Sequence, residues 1–235
     1  MAAKQTLLLL PGLLCDAALW APQIEALSDV ADCRVADLTR DDSVAEMAKR
    51  AIAGLPERFA VAGLSMGGYV ALELMATVPG RIERLALMDT SGRADTPEQL
   101  RRRRGLIQLA DRGEFKGVTP RLLPMLIHPA RTGDVGLTQV VMDMAERVGK
   151  DAFLRQQRAI MGRPDRRPLL PRIHVPTLVV CGSEDVLTPV ELSRELASGI
   201  ATSRLLIVPD CGHLATIERP EPTTAAMRRW LAEEL

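Results

Sequence analysis

Residues 60–72, AVAGLSMGGYVAL, set Ser65 between Gly63 and Gly67 with an apolar run on either side. A serine hydroxyl is a weak nucleophile at neutral pH. It needs a base within hydrogen-bond reach and a third group to orient that base. The chain offers 3 histidines. His128 (MLIHPAR) lies in a helical region and His174 (RIHVPT) just before a predicted strand, whereas His213 follows a glycine turn in VPDCGHLATIERP. An orienting acid is expected in VVCGSEDVLTP, where Glu184 and Asp185 both follow Gly182. Either carboxylate could serve. Asp185 is preferred because the glycine turn before it and the helix start after it put it at the apex of the turn. A tetrahedral intermediate would also need amide donors aimed at its oxyanion. Met66, directly after the serine, would give one N–H, and Leu13 in LLPGLLCDAALW, where Gly12 lets the backbone turn, the other.

These residues can act together only if the fold brings them to one edge. Short apolar runs alternate with amphipathic stretches, the pattern of a parallel sheet with helices on both faces. Strands are predicted over 6–10, 33–38, 59–64, 82–89, 176–182 and 204–209, and helices near 17–28, 43–54, 66–78, 189–199 and 221–234. Asp16 and Ser43 stand where N-caps belong, and Pro79-Gly80 stops the third helix. In such sheets the working loops follow the carboxyl ends of the strands. Ser65, Asp185 and His213 all occupy such loops. The strand–helix alternation stops between 92 and 172, where TPEQLRRRRGLIQLADRG, DVGLTQVVMDMAERVG and DAFLRQQRAIMG all read as helix. Thr96 is the expected N-cap of the first, with Pro97 at its opening position. The expected organisation is a core from 1–91 and 173–235 with a helical cap inserted at 92–172.

The 235 residues suit one domain, and 47% apolar with 26% charged residues is the balance of a folded globular chain. Lys+Arg and Asp+Glu are equal at 30 each, so no overall field recruits nucleic acid or a membrane surface. The balance is uneven within the chain: 92–172 holds 17 basic and 9 acidic residues, the remainder 13 and 21. A basic cap could steer an anionic or carrier-linked substrate toward the site. Arg101 to Arg104 fill one helical turn, so they cannot all face one partner; they read first as a solvated surface whose arginines pair with local acids, with steering through Arg101 and Arg104 as the alternative. Leu123, Met125, Leu126, Ile127, Met142, Met144 and Met161 could line an acyl pocket, or simply be core. The cysteines at 15, 33, 181 and 211 have no CxxC spacing and read as thiols of a reducing compartment. MAAKQTLLLLPG is too short an apolar run for a signal or membrane segment. A cytoplasmic protein without cofactor or metal is expected.

With these stretches in place, the chain resembles the α/β-hydrolase superfamily from residue 6 to the final helix. LLPGLLCDAALW, GLSMGG, GSEDVLTP and DCGHLATIERP look like its oxyanion loop, nucleophile elbow, acid turn and histidine loop, in that order. The resemblance is greatest to small capped carboxylesterases and enol-lactonases. It implies an α/β-hydrolase fold of about six mostly parallel strands with a helical lid, and a cofactor-free serine hydrolase cleaving an ester, lactone or thioester through an acyl-enzyme. Ser65 would be the nucleophile, His213 the base and Asp185 its orienter, with the Leu13 and Met66 amides as oxyanion donors. A lyase or carbon–carbon bond hydrolase with the same triad, and a non-catalytic binding protein on this fold, are the other two readings. Two departures stand out. Pro11-Gly12 replaces the family's usual His-Gly, removing a side chain that braces the loop, and only about five residues precede the first strand.

Overall fold

The structure is a computed structural model describing residues 4–232. Its centre is a six-stranded sheet: β1 (Gln5–Leu10), β2 (Ala31–Val35), β3 (Phe59–Leu64), β4 (Ile82–Met88), β5 (Thr177–Gly182) and β6 (Ser203–Val208). The spatial order is β2-β1-β3-β4-β5-β6, and every pairing is parallel. After β2 the chain crosses back over β1 to lay down β3, so the direction of winding reverses between β1 and β3. At such a switch point the outgoing loops part and leave a crevice. The loops holding Gly12 and Ser65 border that crevice.

Side-chain alternation along the strands divides the core in two. Leu7 and Leu9 pack on one face with Ala60, Ala62 and Met88; Leu8 and Leu10 pack on the other with Val61, Leu85 and Leu87. Helices α1 (Ala21–Ala26), α2 (Val44–Ala51) and α3 (Met66–Thr77) follow the first three strands. Asp16 and Ser43 act as N-caps, accepting from the amides of Ala18 and Glu46. The predicted helix at 17–28 is divided: a 3-10 turn covers Ala17–Trp20 before α1 begins. Pro22 has no amide hydrogen and fits only the opening turn of a helix, so a new helix must start at its position. The second strand also lies earlier than expected, because its ladder with β1 ends at Val35 and the Asp37 carboxylate then turns the chain by accepting from the Thr39 amide.

Between β4 and β5 the chain is helical: α4 (Pro97–Leu109), α5 (Leu123–Leu126) and α6 (Val135–Met161). Thr96 caps α4 in a reciprocal capping box with Gln99. The two helices expected in the later part are one run broken at Gly149, whose φ of 75° and ψ of 178° interrupt the helical path. Helices α7 (Val190–Gly199), α8 (Ala215–Glu218) and α9 (Pro220–Ala232) complete the fold. The predicted end of the last helix, 233–234, lies outside the described residues. Helices α2, α3 and α7 cover one face of the sheet, and α1, α8 and α9 the other. Among the described residues no helix is long and apolar enough to cross a membrane.

Candidate active site

Ser65 sits between β3 and α3 with φ 55° and ψ −115°, a conformation that costs an L-residue about 1–3 kcal/mol. The surroundings hold it there. Its amide donates to the Met88 carbonyl at 2.9 Å, and the Thr90 hydroxyl donates to its carbonyl at 2.7 Å. The turn is tight enough to exclude any side chain on its flanks: a Cβ at Gly63 would lie 2.2 Å from the Gly67 carbonyl oxygen, and one at Gly67 would lie 2.0 Å from that of Leu10. Two backbones therefore meet where β3 turns into α3, and the serine side chain stands out from the sheet edge.

His213, in the loop after β6, places Nε2 2.9 Å from Ser65 Oγ and Nδ1 2.8 Å from Asp185 Oδ2. With the proton on Nδ1, His213 donates to Asp185 and accepts from the serine hydroxyl. Asp185, in the loop after β5, also accepts from the amides of Leu187 (2.9 Å) and Thr188 (3.0 Å) and from the Thr188 hydroxyl (2.6 Å). The three side chains, separated by up to 148 positions, form one hydrogen-bonded line. Glu184, the alternative acid, does something else: it accepts from the Cys211 amide at 3.2 Å and from the Ser183 hydroxyl, bracing the histidine loop. His128 is engaged elsewhere, with Nδ1 accepting from the Ala130 amide at 3.1 Å.

Burial acts to lower the His213 pKa, but the charge and hydrogen bond of Asp185, with a further contribution from Asp89, outweigh it and leave the imidazole above its ordinary 6.5. Burial acts to raise Asp185, and the His213 charge and its donors overcome it, holding the carboxyl below the usual range. Asp89 behaves oppositely. At the end of β4, fully buried with φ 45°, it accepts from the amides of Gly182 and Ala215; burial and then the charge of Asp185 push it well above the carboxylate range. Asp89, Cys181 and Asp185 form the one cluster of possible metal-ligand atoms among the described residues. Those carboxylates are already engaged as acceptors, and burial holds the Cys181 thiol protonated.

Leu13 and Ser65 line the same cavity, and Met66 opens α3. Neither the Leu13 nor the Met66 amide has an acceptor among the described residues; the first amides of a helix have none within it. Sequence reasoning missed what braces this loop in place of the absent histidine. Gln156, fully buried on α6, accepts from the Leu14 amide at 3.1 Å and donates to the Leu38 carbonyl at 3.2 Å. A glutamine in QQR carries no local sign of such a contact, because its partners lie 142 and 118 positions away.

The cavity above Ser65 and His213 measures about 500 Å³, within the range of small-molecule sites. Of the seven residues named for an acyl pocket, only Met125 and Leu126 line it; Leu123, Ile127 and Met144 are core. The arginine run divides, with Arg101 and Arg104 on the solvated surface rather than at the cavity. Arg102 and Arg103 line the cavity, while Arg101 pairs with Glu98 at 2.8 Å outside it and Arg104 is exposed. The roll of α4 about its own axis decides this, and four consecutive arginines give no sign of it.

The sequence pattern of the Alpha/beta hydrolase family matches residues 7–226. The BpoC protein of Mycobacterium tuberculosis, named for non-heme bromoperoxidase, is 33% identical over 177 residues, which are 73% of this chain and 67% of its own. Among solved structures, a thermophilic esterase from Thermogutta terrifontis with malate bound superimposes with a TM-score of 0.89 at 28% identity, over 97% of this chain and 90% of its own. The enol-lactonase from Burkholderia xenovorans LB400 does so with a TM-score of 0.83 at 26% identity, over 99% and 93%.

Proposed function

Since the chain belongs to the Alpha/beta hydrolase family, we propose that it is a serine hydrolase cleaving a carboxylic ester, lactone or thioester through an acyl-enzyme. The observation that carries this reading is the unbroken line Asp185–His213–Ser65, ending on a strained serine that faces the cavity. His213 Nε2 takes the proton as Ser65 Oγ attacks the carbonyl carbon. Negative charge gathers on the carbonyl oxygen, within reach of the Leu13 and Met66 amides. The intermediate collapses, the carbonyl–oxygen or carbonyl–sulfur bond breaks, and His213 returns its proton to the leaving group. Water, deprotonated by His213, then attacks the acyl carbon, and Ser65 leaves with the proton. Asp185 holds the Nδ1–H tautomer and stabilises the imidazolium formed at each step. The helical segment at 92–172 serves as a lid that roofs the cavity and limits water. The esterase and enol-lactonase among the structural neighbours are consistent with this choice of bond.

A fluorophosphonate probe is expected to label the protein stoichiometrically at Ser65, read by peptide mapping. Labelling elsewhere, or none, would refute the acyl-enzyme. The pH profile offers a second check. The imidazole must be neutral to accept the serine proton, so kcat/KM on a neutral ester should rise with pH through the His213 ionisation and then level off. Because Asp185 raises that ionisation, the midpoint should lie above 6.5. In Asp185→Asn the raising charge is gone while burial remains, so the midpoint should move to lower pH as the plateau falls. A midpoint that stays fixed in the variant would remove Asp185 from this role.

A further inference from the structure

The cavity wall is far more basic than its single line of chemistry requires. Arg93, Arg102, Arg103, Lys116 and Arg163 line it against one acid, Glu114. Arg93 is neutralised by a two-pronged pair with Glu195. Arg103 and Arg163 instead share one carboxylate. Asp95, its side chain 1% exposed, meets Arg103 Nε at 2.7 Å and Arg163 Nη1 at 2.6 Å. Two guanidinium groups on one carboxylate leave an excess positive charge in a largely buried place, where an unmatched ion is costly. Arg163 is also fixed in direction: Nε donates to the Arg93 carbonyl, Nη1 to that of Ile160, and the guanidinium stacks 4.1 Å from the Tyr69 ring centre. Among the described residues neither its Nη2 nor that of Arg103 has an acceptor. Among the described residues the neighbouring Arg102 meets only the Met125 sulfur, at 3.8 Å.

This charge is placed relative to Ser65 by rigid structure. Tyr69 lies one turn along α3 from the serine, and both line the cavity, so the Arg163 guanidinium sits one helical turn and one ring from the reacting oxygen. A planar guanidinium with unoccupied donors matches a carboxylate. Arg103 and Arg163 are too deeply set for a macromolecular surface to reach, so the anion belongs to the small molecule inside. Building on the proposed hydrolase function, we infer that the substrate is an ester or lactone carrying a free carboxylate, bound by Arg163 and Arg103 with Arg102 at the cavity rim. The carboxylate sets the distance from anchor to scissile carbonyl, so these arginines determine specificity.

Two measurements test this separately from the hydrolase reading. In the first, glutarate binding to the whole protein is followed by calorimetry, which needs no turnover. Micromolar to low-millimolar binding is expected, weakened at least fivefold in Arg102→Gln and in Arg163→Gln, while Arg101→Gln, outside the cavity, binds as the parent does. In the second, the 4-nitrophenyl half-ester of glutaric acid is compared with its neutral 4-nitrophenyl methyl diester. A preference for the half-ester of at least tenfold in kcat/KM is expected, collapsing mainly through KM in the two cavity variants. If Arg163→Gln fails to fold, Arg102→Gln decides. Absence of glutarate binding, or binding and preference indifferent to both cavity arginines, would overturn the inference. Ser65-dependent turnover of both esters at equal rates would overturn it while leaving the hydrolase reading standing; glutarate bound through these arginines without turnover of either ester would uphold the carboxylate anchor alone and count against the hydrolase reading.

Discussion

Replacing Ser65 by alanine is expected to lower kcat on any accepted ester by roughly four to six orders of magnitude while leaving the fold intact. The hydroxyl has one hydrogen-bond partner among the described side chains, His213, so its removal strips no buried group of an essential contact. The backbone strain at position 65 is unchanged, since alanine meets the same penalty at φ 55°. His213→Ala should cost about as much, and the double variant little more than either alone. Members of such a line act as a unit: with no base the hydroxyl stays protonated, and with no hydroxyl the base has nothing to activate. Rates near the parent's in Ser65→Ala, with a matching thermal melt, would remove the serine from the mechanism. Additive losses in the double variant would show that the two residues act in separate steps.

The second large effect is structural. Gly67→Ala should destabilise the protein by about 3 kcal/mol, a fall of roughly 6–12 °C in Tm, and abolish fluorophosphonate labelling of whatever remains folded. The added Cβ would lie 2.0 Å from the Leu10 carbonyl oxygen and 2.6 Å from its carbon, atoms of a central strand that cannot rotate aside. Relief requires α3 to move away from β1, and α3 carries Ser65 with it. Gly105→Ala makes the control. Nothing lies within 4 Å of a Cβ there, and alanine favours the middle of α4 by about 0.8–1.0 kcal/mol over glycine. It should melt at or slightly above the parent. Equal melts for the two variants would mean that the elbow tolerates far more than its contacts allow.

Much of this protein is local and therefore written in the order of its residues. The alternation of Leu7 to Leu10 on two core faces, the N-caps at Asp16, Ser43 and Thr96, and Gly63, whose Cβ would meet the backbone of Gly67, act within one or two turns of chain, so a short window reveals them. The positions of Ser65, Asp185 and His213 at strand ends belong to the same class, because a parallel sheet delivers all its outgoing loops to one edge. Sequence alone thus determined the strand–helix frame and the serine and histidine that meet there, and narrowed the acid to two neighbours. Other features needed the folded chain. Glu184 and Asp185 are adjacent, and only the approach of the loop after β6 decides that Asp185 takes the histidine while Glu184 braces the Cys211 amide. The roll of α4 turns Arg102 and Arg103 inward and Arg101 outward. Gln156 and Asp95 acquire their roles from partners on other elements, 142 positions away for Leu14 and 68 for Arg163. A residue's periodicity tells which face of its own element it occupies; what stands opposite that face is fixed by packing between elements, and no local pattern encodes it.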